Sequence, residues 1–397
     1  MQNKLKMLKT LHGKFHVRRR EFLKSTAIAG ITVAFPGITA FKQDPEVING
    51  YYERLAESLN KLPNSFPRTK SNIEIVLLKK IFLPEEANIA AQMTIAMEPV
   101  NDIAQRIGLS ADETASRLKA MLERGFLWGD AGKGVYRLAP FIVGIYESQL
   151  PRMDHELAHL IEEYFHQGGA EIMRPQPTIH RVIPAQSAVK SEWILPYDKL
   201  KEVLLSCNTF RVNNCICRTQ QDLEGTRKCN FPLNVELIFY KGAESAEPPV
   251  SPFITRDEAL AVLDKTEKIG LVHTVRNVAQ GIFYVCNCCG CCCGILRGIN
   301  EFGIEKSVAA ANYFSVIDPE KCTGCGTCIK RCQMHAIKSV NEVSVVDRAK
   351  CIGCGLCVTG CKANVARLEL KPDDQRIEPP KDYATWEHDR LVSRGLV

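Results

Sequence analysis

The sequence predicts an α+β multidomain chain, and three observations carry that prediction. All 18 cysteines lie between Cys207 and Cys361, so sulfur organises the second half of the chain. The first half alternates helix-period and strand-period segments. The last part turns to short strands and two copies of one cysteine loop. With 397 residues, 45% hydrophobic and 24% charged, the chain can bury more than one core. We divide it into a targeting segment (1–40), a helical linker (41–70), a small helix-and-hairpin module (71–150), a cysteine-rich central α+β domain (151–310), a second cysteine domain (311–371) and a tail (372–397).

The net charge of +6 is carried by one end. Residues 1–40 hold eight Lys/Arg against Glu21 alone, which leaves 43 basic and 44 acidic residues beyond. That balance lacks the basic footprint of a nucleic-acid binder. Arg19-Arg20-Glu21-Phe22-Leu23-Lys24 resembles the twin-arginine (Tat) signal core at every position. The apolar run behind it is shorter than the ~20 residues that span a bilayer. The resemblance implies export of a folded protein by the Tat translocase to the periplasm or the outer face of the cytoplasmic membrane. Ile38-Thr39-Ala40 is a poor small-x-small cleavage site, which keeps an uncleaved membrane anchor open.

A helix is expected within residues 47–62, ended by Pro63. Residues 102–107 and 111–124 read as a helix-turn-helix, the second helix opened by a Ser110/Glu113 capping box. Residues 126–128 and 135–138 then form a hairpin, giving a winged-helix-like module. Its second helix sets Arg117, Lys119 and Arg124 against Asp112, Glu113 and Glu123, a balance of zero that favours packing or docking over DNA. One amphipathic helix covers 153–166, with Met153, Leu157, Leu160 and Tyr164 as its core stripe. Another runs from Thr255 to Ile269, stopped by Gly270. Strands are expected at 312–318 and 336–347, and the tail packs or frays.

Cys322, Cys325, Cys328 and Cys332 form C-x2-C-x2-C-x3-C, and Cys351, Cys354, Cys357 and Cys361 repeat it. Glycines 324, 326, 353 and 355 let the backbone wrap three thiolates around a cube and turn N–H groups toward the sulfurs. Zinc sites use paired knuckles rather than this triplet plus a fourth. The two runs resemble the bacterial dicluster ferredoxin, which implies two 4Fe-4S clusters in a dicluster ferredoxin fold. By that resemblance cluster 1 takes Cys322, Cys325, Cys328 and Cys361, and cluster 2 takes Cys351, Cys354, Cys357 and Cys332. The family's proline after each run is replaced by Gln333 and Lys362. Lys362, Lys330 and Arg331 add cations nearby, which raises the expected reduction potential.

A candidate third metal site combines Cys215, Cys217 and Cys229 with Cys286, Cys288, Cys289, Cys291, Cys292 and Cys293. A third iron-sulfur cluster is the preferred reading; disulfides or another soft-metal site are the alternatives. The segments LPNSFPRT, FIVGIYE, CICR and CNCCGCCCG ahead of the paired loops resemble uncharacterised 4Fe-4S proteins of anaerobic bacteria, a likeness that brings no known reaction.

His155-Glu156-Leu157-Ala158-His159 matches the H-E-x-x-H zinc-protease pattern. The two histidines and His166 fall on the side opposite the core stripe, and Glu162 occupies a metzincin glycine position, so a solvated face is expected. No catalytic constellation stands out. The expected function is one-electron relay between donor and acceptor proteins, without nucleic acid. An oxidoreductase with its own active site at Cys286 to Cys293, or a winged-helix redox sensor, are the alternatives.

Overall fold

The computed structural model describes residues 44–242 and 251–397; the twin-arginine segment lies outside the described residues. The fold is mixed α and β. Helix α1 (Pro45–Lys61) buries Tyr52, Leu55, Ala56 and Leu59, the i, i+3, i+4, i+7 stripe that an amphipathic sequence dictates. α2 (Ile73–Ile81) and α3 (Pro84–Ala90) follow. Next come β1 (Glu98–Pro99), α4 (Val100–Ile107), α5 (Ala111–Glu123), β2 (Leu127–Asp130) and β3 (Val135–Leu138), the strands antiparallel in the order β1-β3-β2. Ser110 caps α5 by accepting from the Glu113 N–H at 3.3 Å. The reciprocal half of the expected capping box is replaced, because the Glu113 carboxylate pairs with Arg117 one turn on.

The central region begins with the short α6 (Tyr146–Ser148) and α7 (His155–His166), whose first turn is capped by Asp154 accepting from the Leu157 N–H at 2.8 Å. α7 starts later than expected because Asp154 takes the cap. Its buried side includes Leu157, Ala158, Ile161, Tyr164 and Phe165, while Met153 and Leu160 are only half-buried. Beyond it come β4 (His180–Ile183), α8 (Leu200–Leu205), β5 (Thr209–Asn214), α9 (Ile216–Leu223), β6 (Asn234–Tyr240), β7 (Phe253–Ile254), α10 (Arg256–Ile269), β8 (Val272–Arg276), β9 (Tyr284–Cys288) and α11 (Gly294–Asn300). The six strands form one antiparallel sheet in the order β4-β8-β9-β6-β5-β7. α10 carries the full Thr255/Glu258 capping box and ends at Gly270 with φ 97°, the left-handed stop its sequence predicts.

The C-terminal part pairs β10 (Tyr313–Ile317) with β13 (Ala366–Leu370) and β11 (Ile337–Val340) with β12 (Val343–Val346), all antiparallel. α12 (Thr327–Arg331) and α13 (Leu356–Thr359) each sit within one cysteine loop. Among the described residues no helix is long and apolar enough to cross a membrane.

The tail packs. α14 (Tyr383–Ser393) buries Trp386 and Arg390 almost completely. The Trp386 indole N–H donates to the Thr178 carbonyl at 2.8 Å. The Arg390 guanidinium donates to the carbonyls of Pro63, Ile172, Pro175 and Pro177, so its burial is matched by acceptors from two distant segments. Polar composition concealed this role: the burial rests on two residues. Replacing Trp386 by Ala removes a fully buried ring and its hydrogen bond, and is expected to cost about 3–5 kcal/mol, read as a fall in urea midpoint.

Candidate metal centres

The paired loops are shaped by their glycines. Gly326 and Gly355 take left-handed φ values of 71° and 76° as they open α12 and α13, a conformation costly for residues with a Cβ. Cys332 leaves the first loop and joins Cys351, Cys354 and Cys357 in lining one pocket, closed by Met334, Ile337, Ile352 and Ser315. The Ala336 N–H donates to the Cys332 sulfur at 3.2 Å, and Ser315 Oγ lies 3.1 Å from the Cys357 sulfur. Burial pushes the Cys357 thiol up to about 12 and Cys354 well above its ordinary range.

The other loop is more open. Cys322 is half-buried and accepts from the Ser344 N–H at 3.5 Å. Cys325 is exposed, while Cys328 is buried and donates to Ser344 Oγ at 3.2 Å. Backbone N–H donors, chiefly those of Ser344 and Thr327, lower the Cys322 and Cys325 thiols. Cys361 is half-buried just beyond α13.

Residues 314–362 match the family model of the 4Fe-4S dicluster domain. The chain carries a 4Fe-4S dicluster domain. No curated protein matches the chain. The donor set suits such clusters: thiols held in glycine-shaped loops, with N–H groups placed to stabilise anionic sulfur.

The two positions that depart from the usual proline differ in what they touch. Lys362 is exposed. Gln333 instead donates through Nε2 to the Gly270 carbonyl at 2.8 Å and accepts through Oε1 from the Gly290 N–H at 2.9 Å. Asn300 Nδ2 donates to both the Gln333 and the Gly290 carbonyls. The residue after Cys332 therefore holds the dicluster domain against the central cysteine run. Arg331 lies beside it and donates to the carbonyls of Leu356, Lys268 and Glu267, with its charge acting on the Cys354 and Cys357 thiols.

The central thiols divide into two groups instead of meeting at the one site expected from the sequence. Side chains alternate along β9, so Cys286 and Cys288 share a face with Glu236 of β6 and Thr274 of β8. Asn287 points the other way and bonds to Thr266, His273 and the Val235 carbonyl. Cys286 lies 3.6 Å from Glu236 Oε1, and Cys288 lies 3.3 Å from Thr274 Oγ1. Cys293, the N-cap of α11, returns to this face, where Cys215 and Cys217 arrive from the start of α9. These five cysteines and Cys292 line one chamber with Tyr146, Glu147, Glu236 and His180. Cys229, Cys289, Cys291 and Cys292 form a second group beside it, which meets the chamber at Cys292, with all four sulfurs within 4.8 Å of one another.

The chamber also contains groups that spacing did not single out. Burial pushes the carboxyls of Glu147 and Glu236 up to about 7. Burial, then the Arg276 charge, pulls His180 down to about 3, where the neutral ring meets Tyr284 Oη at 2.8 Å and Thr274 Oγ1 at 3.5 Å. Arg218, one residue beyond Cys217, is fully buried. The adjoining Cys-Ile-Cys was the only sequence signal for it.

The H-E-x-x-H helix takes another part. His159 contacts Glu224 at 3.0 Å, and Glu156 pairs with Lys80. His166 contacts Glu162 at 3.1 Å and Glu301 at 3.5 Å. Both carboxylates are bound by Arg297, and Glu162 also accepts from Gln220 and Gln221. This is an ion-pair network.

Two outcomes follow from these contacts. A cation favours the more negative reduced cluster, and a charge interaction of about 1 kcal/mol moves a one-electron potential by roughly 40 mV. Arg331→Gln is therefore expected to lower the potential of the centre at Cys351, Cys354 and Cys357 by tens of millivolts, more than the exposed Lys362→Glu does, as read by EPR-monitored redox titration. For His180, the folded pKa of about 3 lies below the unfolded value of about 6.5, so the unfolded chain binds more protons between them. Stability is complete above about pH 6.5 and falls as the pH drops toward 3. His180→Gln is expected to flatten that slope in urea unfolding measured across the window.

Proposed function

We propose that this chain is an exported electron-transfer protein that relays single electrons through two 4Fe-4S clusters and a third iron-sulfur site in the chamber. The observation that carries the reading is the convergence of Cys332 with Cys351, Cys354 and Cys357 inside the segment that matches a 4Fe-4S dicluster domain. When bound, the clusters supply reversible one-electron chemistry. Cys322, Cys325, Cys328 and Cys361 would hold the first, in the more exposed loop, and the Cys332 pocket would hold the second. The open loop suits exchange with a partner protein, because Cys325 is the exposed thiol of the set. Gln333 places the buried pocket next to the central cysteine run, so relay would pass inward from the surface.

The Tat-like Arg19 to Lys24 core supports export, with the Tat translocase as one partner and a donor and an acceptor protein as the others. An uncleaved segment would leave the chain on the outer face of the membrane. The β1–α4–α5–β2–β3 module is read as a winged helix used for packing, since Glu113 is taken up by Arg117 and the helix carries no cationic surplus.

A second reading, an oxidoreductase whose reaction occurs in the chamber, is favoured by one feature: Glu147 and Glu236 bring two carboxyls with pKa values near neutrality to a thiol-lined cavity. It requires turnover with an artificial electron donor, which a pure relay lacks.

Anaerobic purification of the full chain is expected to give brown protein with about twelve irons and reducible EPR signals. About eight irons would remove the third cluster, and colourless protein would remove the relay. Replacing Arg19 and Arg20 by Lys is expected to retain the protein in the cytoplasm, read by fractionation.

A further inference from the structure

The four thiols of the second group have a different geometry from every other cysteine set. Cys229 Sγ lies 3.9 Å from Cys289 Sγ and 3.8 Å from Cys292 Sγ, and Cys291 Sγ lies 3.6 Å from Cys292 Sγ. A disulfide needs sulfurs ~2.05 Å apart, so these are not bonded pairs. Four thiolates ~2.3 Å from one zinc ion stand ~3.8 Å apart along the edges of a tetrahedron. A cubane's thiolates point outward from four separate irons and are spread more widely. Among the described residues, these are the only cysteines with three or more sulfurs mutually within 4.8 Å; those of the dicluster loops and the other cysteines of the chamber are not so gathered.

The surroundings answer the charge of such a site. Arg218 is fully buried and meets no carboxylate among the described residues; its terminal nitrogens donate to the carbonyls of Pro232 and Asn287. Its guanidinium also reaches Cys289, and that of Arg227 reaches Cys229. Nε of both arginines is buried without a nitrogen or oxygen partner. Arg227 is neutralised in part by Asp222, whereas a buried Arg218 cation requires an anion. Four thiolates around one divalent ion carry a net charge of −2, which supplies it.

We propose that Cys229, Cys289, Cys291 and Cys292 hold a single tetrahedral zinc ion, separate from any iron-sulfur centre. The site has four protein donors and no open position, the composition of a structural zinc. It ties the loop after α9 to the turn between β9 and α11, and it leaves Cys215, Cys217, Cys286, Cys288 and Cys293 in the chamber as candidate ligands for a cluster. The inference stands apart from the relay, because zinc reads one and iron the other.

The test is elemental analysis of the full chain, purified anaerobically from medium containing both metals. One zinc per chain is expected, and Cys229→Ser is expected to lose it while the iron count stays unchanged. Cys229→His, which retains a zinc-competent donor, is expected to keep the metal, and it serves if the serine variant does not fold. Cobalt substituted at the site in the wild-type chain is expected to show tetrahedral thiolate absorption that changes in the histidine variant. Absence of zinc, or loss of iron in place of zinc on changing Cys229, overturns the proposal.

Discussion

The arrangement of the cysteine half depends on the contact of Gln333 with Gly290. A proline after Cys332 could neither accept from the Gly290 N–H nor donate to Gly270, and Gln333 does both. The approach is close enough that a Cβ on residue 290 would fall 1.9 Å from the Gln333 carbonyl oxygen. Glycine in the middle of the CNCCGCCCG run is therefore a packing requirement, set by a residue 43 positions later. Through this contact the segment that supplies Cys332 and the turn that supplies Cys289, Cys291 and Cys292 share one position. Asn300 fixes it from a third direction by bonding to both carbonyls.

The second constraint is the two-residue period of β9. The strand lies between β8 and β6 in the sheet and is buried or half-buried along its whole length, so residues that alternate between its two faces meet different surroundings. Cys286 and Cys288 enter the chamber, while Asn287 spends its side chain on Thr266, His273 and Val235. The strand ends at Cys288, so the following thiols follow the turn, and the chain returns to the chamber at Cys292 and Cys293. Six cysteines in eight residues thus serve two places that adjoin at Cys292.

This explains what could be read in the sequence. The dicluster loops are local: their spacing, glycines and flanking strands are all written within about 60 residues, and both short helices form where the loops close. The helices with strong caps were equally legible, α10 most clearly, since Thr255, Glu258 and Gly270 act within their own segment. The central thiols were not, because their division depends on where β9 stops and on the partners that β6, β8 and α9 contribute. Spacing showed that ten thiols exceed one cluster and could not say which side each faces. The tail packs and the histidines of the H-E-x-x-H helix lie on an exposed face, as expected, but the partners of both elements are distant in sequence and could not be read from it. Arg390 is buried only because the carbonyls of Pro63 and residues 172–177 surround it, and Glu162 bonds an arginine 135 positions away.

The placement of charge follows the same logic. Chain composition alone would set Lys330, Arg331 and Lys362 as equal neighbours of the clusters, yet exposure separates them. Lys330 and Lys362 face water, where screening reduces their influence. Arg331 spends its donors on carbonyls at the ends of α10 and within α13, so its position is fixed and its charge acts through protein. Arg218 is held in the same way between Pro232 and Asn287. Both of these guanidinium groups are therefore oriented by backbone carbonyls, which carry no net charge.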